Sequence, residues 1–559
     1  MKKLKQRKSE EKIEGLSPLY SRIYSGRGIR KKEEVDHLLK ELEPPDSLLG
    51  LQDAVVLLTR TIKDQQAITI VGDFDADGAT SCVLMVLGLR AMGAGTVNYL
   101  VPNRFEFGYG LTPEIVEVAR KQKPALIITV DNGISSVDGV NYARQCDINV
   151  LITDHHLPSD EIPNANAIVN PNQKGCEFPS KNLAGVGVAF YLLSALRKHL
   201  REDGWFEKIP EPKLVEYLDL VALGTIADVV PMDYNNRVLV QEGLRRMRAG
   251  KTRPGIRALL ELAGKRLSSL TSTDLAFGVA PRLNAAGRLD DISIGIECLL
   301  STEESRAHLL AGQMDQLNKE RREIEDEMKQ QALLSLGDIE PKNNTAVGIC
   351  LFDESWHQGV VGIVASRIKD KYHRPVIAFA PVSETEMKGS ARSISGLHIR
   401  DALDAIASRN PGLIQKFGGH AMAAGLSLSP SNYSKFKTEF NDEAARWLSK
   451  DDLEDVIISD GSFDDFSVPA VRALLQACPW GQGFPEPLFD DEFEVVEQRI
   501  VGGKHLKLKL RRLESDQVLD AIAFNQNQLF ERRHRRVVYR LDVNEFRGRE
   551  TVQLIVENV

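Results

Sequence analysis

Several absences bound this sequence before any motif is read. No apolar run approaches the ~18 residues that cross a bilayer, which argues against a helical membrane span. The opening MKKLKQRKSEEKIEG is charged and has no apolar stretch, so it does not read as a secretory signal. Six cysteines form no C-x-x-C pair, which excludes a cysteine zinc framework and an evident disulfide scaffold. They read as reduced, mostly core thiols, and the chain reads as a cytosolic protein. A basic excess is missing too. The net charge is −8, with acid concentrated in SKDDLEDVIISDGSFDDF, so bulk charge gives no hint of a nucleic acid, and basic groups must be sought locally. What remains, 42% hydrophobic and 27% charged over 559 residues, is the composition of an ordinary globular protein of about three or four domains.

The stretch ITIVGDFDADGATS places Asp73, Asp75 and Asp77 at alternate positions before a glycine, like the start of a calcium loop. An EF-hand needs a bidentate Glu at its twelfth position, and that position is Leu84. The flanks also disagree. The apolar, β-branched AITIV reads as a buried strand, and ATSCVLMVLGLRAMG as a helix closed by Gly93.

The same theme repeats over 67–156. AITIVGD, TVNYLVPN, ALIITVDNG and INVLITDHH are strands, separated by helices at 79–92, 113–122 and 136–145. This alternation implies a mostly parallel sheet, whose ligands bind beyond the strands' carboxyl ends. Three strands end in metal-binding residue types: at Asp73–Asp77, at Asp131, and at Asp154, His155 and His156. Solvated turns would not place acids and imidazoles together in this way. A mainly helical section follows, in which Asp228 is a lone carboxylate among apolar residues, costly to bury unless paired or metal-bound. FGVAPRLNAAGRLDD reads as a loop carrying Arg282, Asn284 and Arg288.

Residues 303–336 read as one long helix, with Leu310, Met314, Leu317, Ile324 and Met328 on one stripe. Arg321 interrupts the stripe, which favours a spacer over a coiled coil. A second α/β unit holds GSAR (389–392) and GGHAMAAG (418–425), whose backbone N–H groups, Ser390 hydroxyl, Arg392 and His420 suit a phosphate, while the glycines fit plain turns equally. In KHLKLKLRR, Leu506, Leu508 and Leu510 face one way and His505, Lys507, Lys509 and Arg511 the other. A small β-domain with a basic face suggests an OB-type barrel for single-stranded nucleic acid. The expected layout is an N-terminal segment (1–45), a parallel-sheet α/β domain (46–300), the long connecting helix (301–338), a second α/β domain (339–450) and the barrel (455–559).

Carboxylates with one or two histidines suit Mg²⁺ or Mn²⁺, and imidazole tilts the choice towards Mn²⁺. The donors outnumber what one ion takes while leaving an open site. Two ions about 3.5–4 Å apart would use them all and would serve phosphoester or phosphoanhydride hydrolysis.

DFDADG, VDNG, DHH and GTIADVVP, in that order, resemble the four motifs of the DHH phosphoesterase superfamily, and GSARS and FGGHAMAAG resemble its DHHA1 companion domain. With PRLNAAGR, the long helix and the barrel, the resemblance is to the superfamily's bacterial single-strand-specific 5′→3′ DNA exonucleases and covers about residues 15–559. It implies that Asp75 and Asp77 hold one ion each and Asp131 bridges them. It places His155 and Asp228 on the second ion and Asp73 beside the first. His156 would lie against the scissile phosphate, with Asp154 orienting a histidine. Ser390 and Arg392 would bind the 5′-terminal phosphate, aided by Arg104 and Arg282, and His420 the backbone near the cut. A cleft between the α/β domains would admit one strand and exclude duplex. Lys504, Lys507, Lys509 and Arg511 would hold the following strand. The cluster Arg532, Arg533, Arg535 and Arg536 fits DNA contact and a solvated face equally. The resemblance further implies DNA repair and recombination, a monomer, no membrane, and two partners: single-stranded-DNA-binding protein and a helicase. Two alternatives share the motifs: a small-substrate enzyme (nanoRNase, cyclic-dinucleotide phosphodiesterase or manganese pyrophosphatase) and a non-catalytic replication scaffold.

Overall fold

The computed structural model describes residues 3–9, 12–102, 110–159, 161–336, 346–513, 515–531 and 533–557. The chain divides into two compact units: Gln6–Leu317 together with the segment that begins at Ser459, and Asn318–Ile458.

The first unit is built on five parallel strands: β1 (Ile68–Gly72), β2 (Val97–Leu100), β3 (Leu126–Val130), β4 (Asn149–Thr153) and β5 (Ala167–Val169), in spatial order β2-β1-β3-β4-β5. Every residue of β1 and β3 is buried, which is why they read as unbroken apolar runs without alternation. Strand order reverses between β1 and β3, so a crevice opens at their carboxyl ends. Asp73 and Asp131 sit there, one on each strand's exit.

Helix α1 (Leu51–Lys63) is amphipathic, but α2 (Ala76–Ala91) is buried almost throughout and forms the centre of the core. A helix apolar all round must be covered all round. α3 (Pro113–Arg120) and α4 (Val137–Gln145) cover the other face of the sheet through a separate core that includes Ile115, Val116, Val140 and Ile152. α5 (Gly185–Glu202) and α6 (Leu218–Ala227) pack against α2, and Gly88 permits the approach of Leu193.

Residues 280–289 depart from the sequence reading. They are helix α7 (Ala280–Leu289), entered through a π-helical turn at Leu275–Val279, and not a loop. Pro281 falls in the first turn, where a missing N–H costs nothing, and Ala285, Ala286 and Gly287 are small because the helix is buried. The punctuation that reads as a loop marks a helix start and a close contact.

The expected long helix is α8 (Glu304–Leu336), which begins in the first unit and continues into the second. Arg321, within its apolar stripe, is buried with Asn318 and Glu325, and Glu325 also binds Arg367. The second unit carries a mixed sheet of β6 (Ile349–Phe352), β7 (Val376–Pro381), β8 (Met387–Arg392), β9 (Lys416–Gly419) and β10 (Ala423–Leu428), in order β9-β10-β8-β7-β6. Only β6 and β7 run parallel. Helix α9 (Val361–Tyr372) lies on β7 and β8.

The C-terminal strands β11 (Phe489–Val501), β12 (His505–Arg512), β13 (Val518–Ala523), β14 (His534–Phe546) and β15 (Arg549–Val556) close a barrel in order β11-β12-β13-β15-β14. Only β13 and β15 are parallel, and this is a five-stranded OB-type barrel. Leu506, Leu508 and Leu510 fill its interior as the alternation predicts. Within the first unit the barrel is tied to the helical section by Ser272 Oγ donating to Trp480 O (2.7 Å), Met232 N donating to Gln482 O (2.7 Å) and the Arg266–Glu545 ion pair.

Candidate metal centre

The chain leaves β1 at Gly72 and turns through Asp73, Phe74 and Asp75 into α2. Asp75 is the helix N-cap: its Oδ1 accepts from the N–H groups of Asp77 (2.9 Å) and Gly78 (3.0 Å). Asp77 is buried in the first turn, where its two carboxylate oxygens accept from Gly185 N (2.6 Å) and Val186 N (3.0 Å) at the start of α5. Asp131 follows β3 with φ 62°, in the left-handed region that aspartate tolerates. Gly185 makes room for it, since a methyl group there would fall 2.6 Å from Asp131 Cβ. Asp154, His155 and His156 follow β4. Asp228 caps the end of α6, and the next residue, Val229, also has φ 62°.

These side chains converge in three overlapping sets whose donor atoms lie within 4.8 Å of one another: Asp73, Asp75 and Asp131; Asp77, His155 and Asp228; and Asp131, His155 and His156. His155 Nε2 stands 3.1 Å from Asp131 Oδ1 and 3.4 Å from Asp228 Oδ2. The carboxylates repel. Burial first, then Asp228, pushes Asp77 up to about 7, and burial with Asp75 does the same to Asp228. Asp131 is held well above the usual carboxylate range by burial and then by Asp77, Asp75 and Asp228.

The adjacent histidines are opposites. Burial, with His156 beside it, lowers His155, leaving a neutral imidazole suited to ligation. Burial also works against a charge on His156, but the Asp154 carboxylate, 2.7 Å from its Nδ1, outweighs it and raises His156 to about 9. Asp154 itself is lowered: burial opposes its charge, and the bond from His156 prevails. Asp154 Oδ1 also accepts from His155 N and His156 N, and its Oδ2 from Ile134 N (2.9 Å), so one carboxylate fixes the turn and the His156 ring.

A divalent pair fits this donor set. Oxygen donors with a neutral imidazole match Mn²⁺ and Mg²⁺. Among the described residues, Asp228 Oδ2 and His155 Nε2 are buried and make no hydrogen bond. Buried polar atoms left in this way are expected where a ligand supplies the partner.

Three supporting asparagines were not singled out by sequence reasoning as part of this site. Asn170 Nδ2 donates to His156 O (2.9 Å) and Asn172 Nδ2 to His155 O (2.6 Å), and the N-P-N spacing at 170–172 is the only local signal. Asn284 was noted, but as a loop residue. Its Oδ1 accepts from Ala76 N (2.8 Å).

In the second unit, Arg392 Nη1 donates to Ser390 Oγ (3.0 Å). Both lie at the first turn of α9, where a methyl group on Gly362 would fall 2.8 Å from Ser390 Oγ and 2.9 Å from Arg392 Nη2. The guanidinium is largely buried and, among the described residues, has no carboxylate partner; burial lowers its pKa. His420 is exposed at the β9–β10 turn, and its N–H donates to Ala423 O (2.8 Å).

Arg104 lies outside the described residues. Arg282 is buried and its guanidinium is committed: Nη2 pairs with Asp315 Oδ1 (2.7 Å) and Nε donates to the same oxygen. On the barrel, Lys509 is matched by Glu497 (3.2 Å) and Arg511 by Glu494 (3.3 Å). Lys504 and Lys507 have no ion pair among the described residues, and Lys507 stands opposite Arg499. Arg532 lies outside the described residues. Arg533 pairs with Glu494, Arg536 with Asp490, and Arg535 lies over the Phe530 ring at 3.9 Å.

Known families and relatives agree with this architecture. Residues 67–225 match the DHH family N-terminal domain, 343–448 the DHHA1 domain and 460–558 the RecJ OB domain. The single-stranded-DNA-specific exonuclease RecJ of Dickeya dadantii is 51% identical over 555 residues, covering 98% of this chain and 96% of that protein. The chain belongs to the RecJ family. RecJ of Escherichia coli is 49% identical, over 97% of this chain and 96% of its own. The crystal structure of RecJ in complex with Mn²⁺ from Thermus thermophilus superposes with a TM-score of 0.79 at 31% identity, over 97% of this chain and 76% of that one. A RecJ from that organism has also been solved with Mg²⁺. The RecJ OB match spans all five barrel strands, and the DHH match stops just short of Asp228.

Proposed function

We propose that this chain is a metal-dependent exonuclease that degrades single-stranded DNA from its 5′ end by phosphodiester hydrolysis, in DNA repair and recombination. The convergence of Asp73, Asp75, Asp77, Asp131, His155 and Asp228 at the strand-order reversal of a parallel sheet carries this reading. Asp75 and Asp77 would hold one ion each and Asp131 would serve both, while His155 and Asp228 would complete the second set and Asp73 would support the first. When bound, the ions supply Lewis acidity and lower the pKa of water. The chain's own contribution is placement and proton control. Asp154 fixes the His156 ring through Nδ1, and the protonated ring is a proton donor for a phosphate oxygen or the leaving oxygen. His155, neutral, offers a lone pair to a metal.

Ser390 and Arg392 take the 5′-terminal phosphate. A buried guanidinium with a hydroxyl beside it, at a helix start, is built for a dianion. His420 addresses the backbone near the cut. Arg282, bound to Asp315, acts as a structural support. On the barrel, Lys504 and Lys507, with Arg499, hold the following strand, and Lys509 and Arg511 add less because acids already neutralise them. Chemistry thus resides in 46–300, end recognition in 339–450 and strand holding in 455–559, with 301–338 as the link. The enzyme works as a monomer in the bacterial cytosol, on strands opened by a helicase and held by single-stranded-DNA-binding protein. One assay tests the reading: 5′- and 3′-labelled single strands and duplex, with Mn²⁺, Mg²⁺ or chelator. Release of label from the 5′ end of single strands only, abolished by chelator, is expected. Digestion from the 3′ end or of duplex would refute it.

A further inference from the structure

Apart from Arg282, the motif PRLNAAGR remains without a task in this scheme, and it forms the buried helix α7. Two of its residues press on the turn that carries Asp73, Asp75 and Asp77. Asn284 Oδ1 accepts from Ala76 N at 2.8 Å. Gly287 meets the other side: a methyl group there would fall 1.8 Å from Phe74 O, so only glycine lets the carbonyl seat. Phe74 and Ala76 are the two neighbours of Asp75 in the chain.

The first N–H groups of a helix need partners from outside it. At the start of α2, Asp75 Oδ1 takes those of Asp77 and Gly78 and Asn284 takes that of Ala76. Asp75 is thereby pinned through its own carboxylate on one side and through its peptide on the other. α7 is itself anchored: Arg282 pairs with Asp315 on α8, and its Nη1 donates to Gly278 O in the π-turn. The three carboxylates of the turn, crowded by Asp131 and Asp228, would otherwise spread it, and two contacts from a buried helix oppose that.

We infer that Asn284 and Gly287 are positioning residues that hold the Asp73–Asp77 turn in its metal-binding shape. The inference rests on the reading of Asp75 as a metal ligand. Supports of this kind, one contact removed from a metal, typically change affinity by about 10–100-fold when lost.

The test is titration of Mn²⁺ into full-length metal-stripped protein by calorimetry, alongside thermal unfolding in chelator and steady-state kinetics. Asn284→Ala is expected to unfold near the wild-type temperature but to bind Mn²⁺ about 10–100-fold more weakly. Its kcat should fall at limiting Mn²⁺ while KM for DNA stays within about two-fold. Asn284→Asp keeps an acceptor at the same reach and should recover most of the affinity. Gly287→Ala should weaken Mn²⁺ binding by displacing Phe74. If Asn284→Ala fails to fold, Asn284→Ser decides in its place. Wild-type Mn²⁺ affinity in a folded Asn284 variant would overturn the inference. Asp75→Asn separates the two layers. If it too binds Mn²⁺ normally, the metal centre has been misread; if it alone loses binding, only the role of α7 fails.

Discussion

Two regions of the first unit bury carboxylates, and they do so in opposite ways. Asp460 lies under the barrel with Arg7 Nε 3.1 Å from its Oδ1, Arg27 bonding both oxygens at 2.8 Å, and Leu488 N donating to Oδ2. Every lone pair has a cationic or amide donor. At the head of the parallel sheet, Asp77, Asp131 and Asp228 crowd together, and burial with their mutual repulsion holds all three above the usual carboxylate range. Burial is common to both regions. The difference lies in compensation, and it separates an acid that organises the fold from one that awaits a ligand. Arg392 is the same case with the sign reversed.

The contrast can be broken most sharply at Asp131. Asp131→Asn should cut nuclease turnover about a thousand-fold, since several kcal/mol of charge stabilisation depend on metal placement, while its unfolding temperature in chelator holds or rises. Asp460→Ala should do the reverse. It strands two arginines and is expected to cost about 3–5 kcal/mol of stability in denaturant unfolding, with activity per folded molecule retained. Arg392→Ala should erase the preference for a 5′-phosphate over a 5′-hydroxyl, a loss of about 10–100-fold in kcat/KM given the worth of a charge-assisted pair.

Asp228 offers a pH test. Its folded pKa is raised to about 7 from an ordinary 3.8, so protonation favours the folded state. The contribution of Asp228 to stability in chelator should be full below pH 4 and be lost as pH rises through 7. Asp228→Asn should remove part of that slope, on the order of 1–3 kcal/mol by pH 8. A difference of opposite sign between wild type and Asp228→Asn would mean that this acid is compensated after all. The smallest expected effect is on the barrel. Lys507→Gln should weaken single-strand binding severalfold at low salt and reduce the salt dependence by about one counterion, and Lys509→Gln, already matched by Glu497, should do less.

Much of the fold was legible because local pattern and global position agree. A buried parallel strand must be apolar on both faces, so ITIV and LIITV announce themselves, and the acid after each marks a carboxyl end. The barrel wall shows in the alternation of Leu506, Leu508 and Leu510. The obscure features depend on neighbours remote in sequence. Nothing in KHLKLKLRR says that Lys509 meets Glu497 while Lys507 meets Arg499; strand register decides that. Helix α7 was hidden because its glycine and proline serve contacts with the metal turn and a helix start, and both residues otherwise punctuate loops. Arg282 looks available in a chain of letters and is spent on Asp315 in three dimensions. Asn170, Asn172 and Asn284 act through backbone groups, which leave no complementary residue to find.

The left-handed backbone at Asp131 narrows which replacements are informative there. Few residues besides glycine accept that conformation comfortably, and asparagine is among them, with nearly the same outline as aspartate. Glutamate would keep the charge but strain the main chain, and alanine would forfeit the shape. Asparagine is therefore the substitution for preparing a quiescent yet properly folded enzyme, one suited to capturing an uncut oligonucleotide for crystallography.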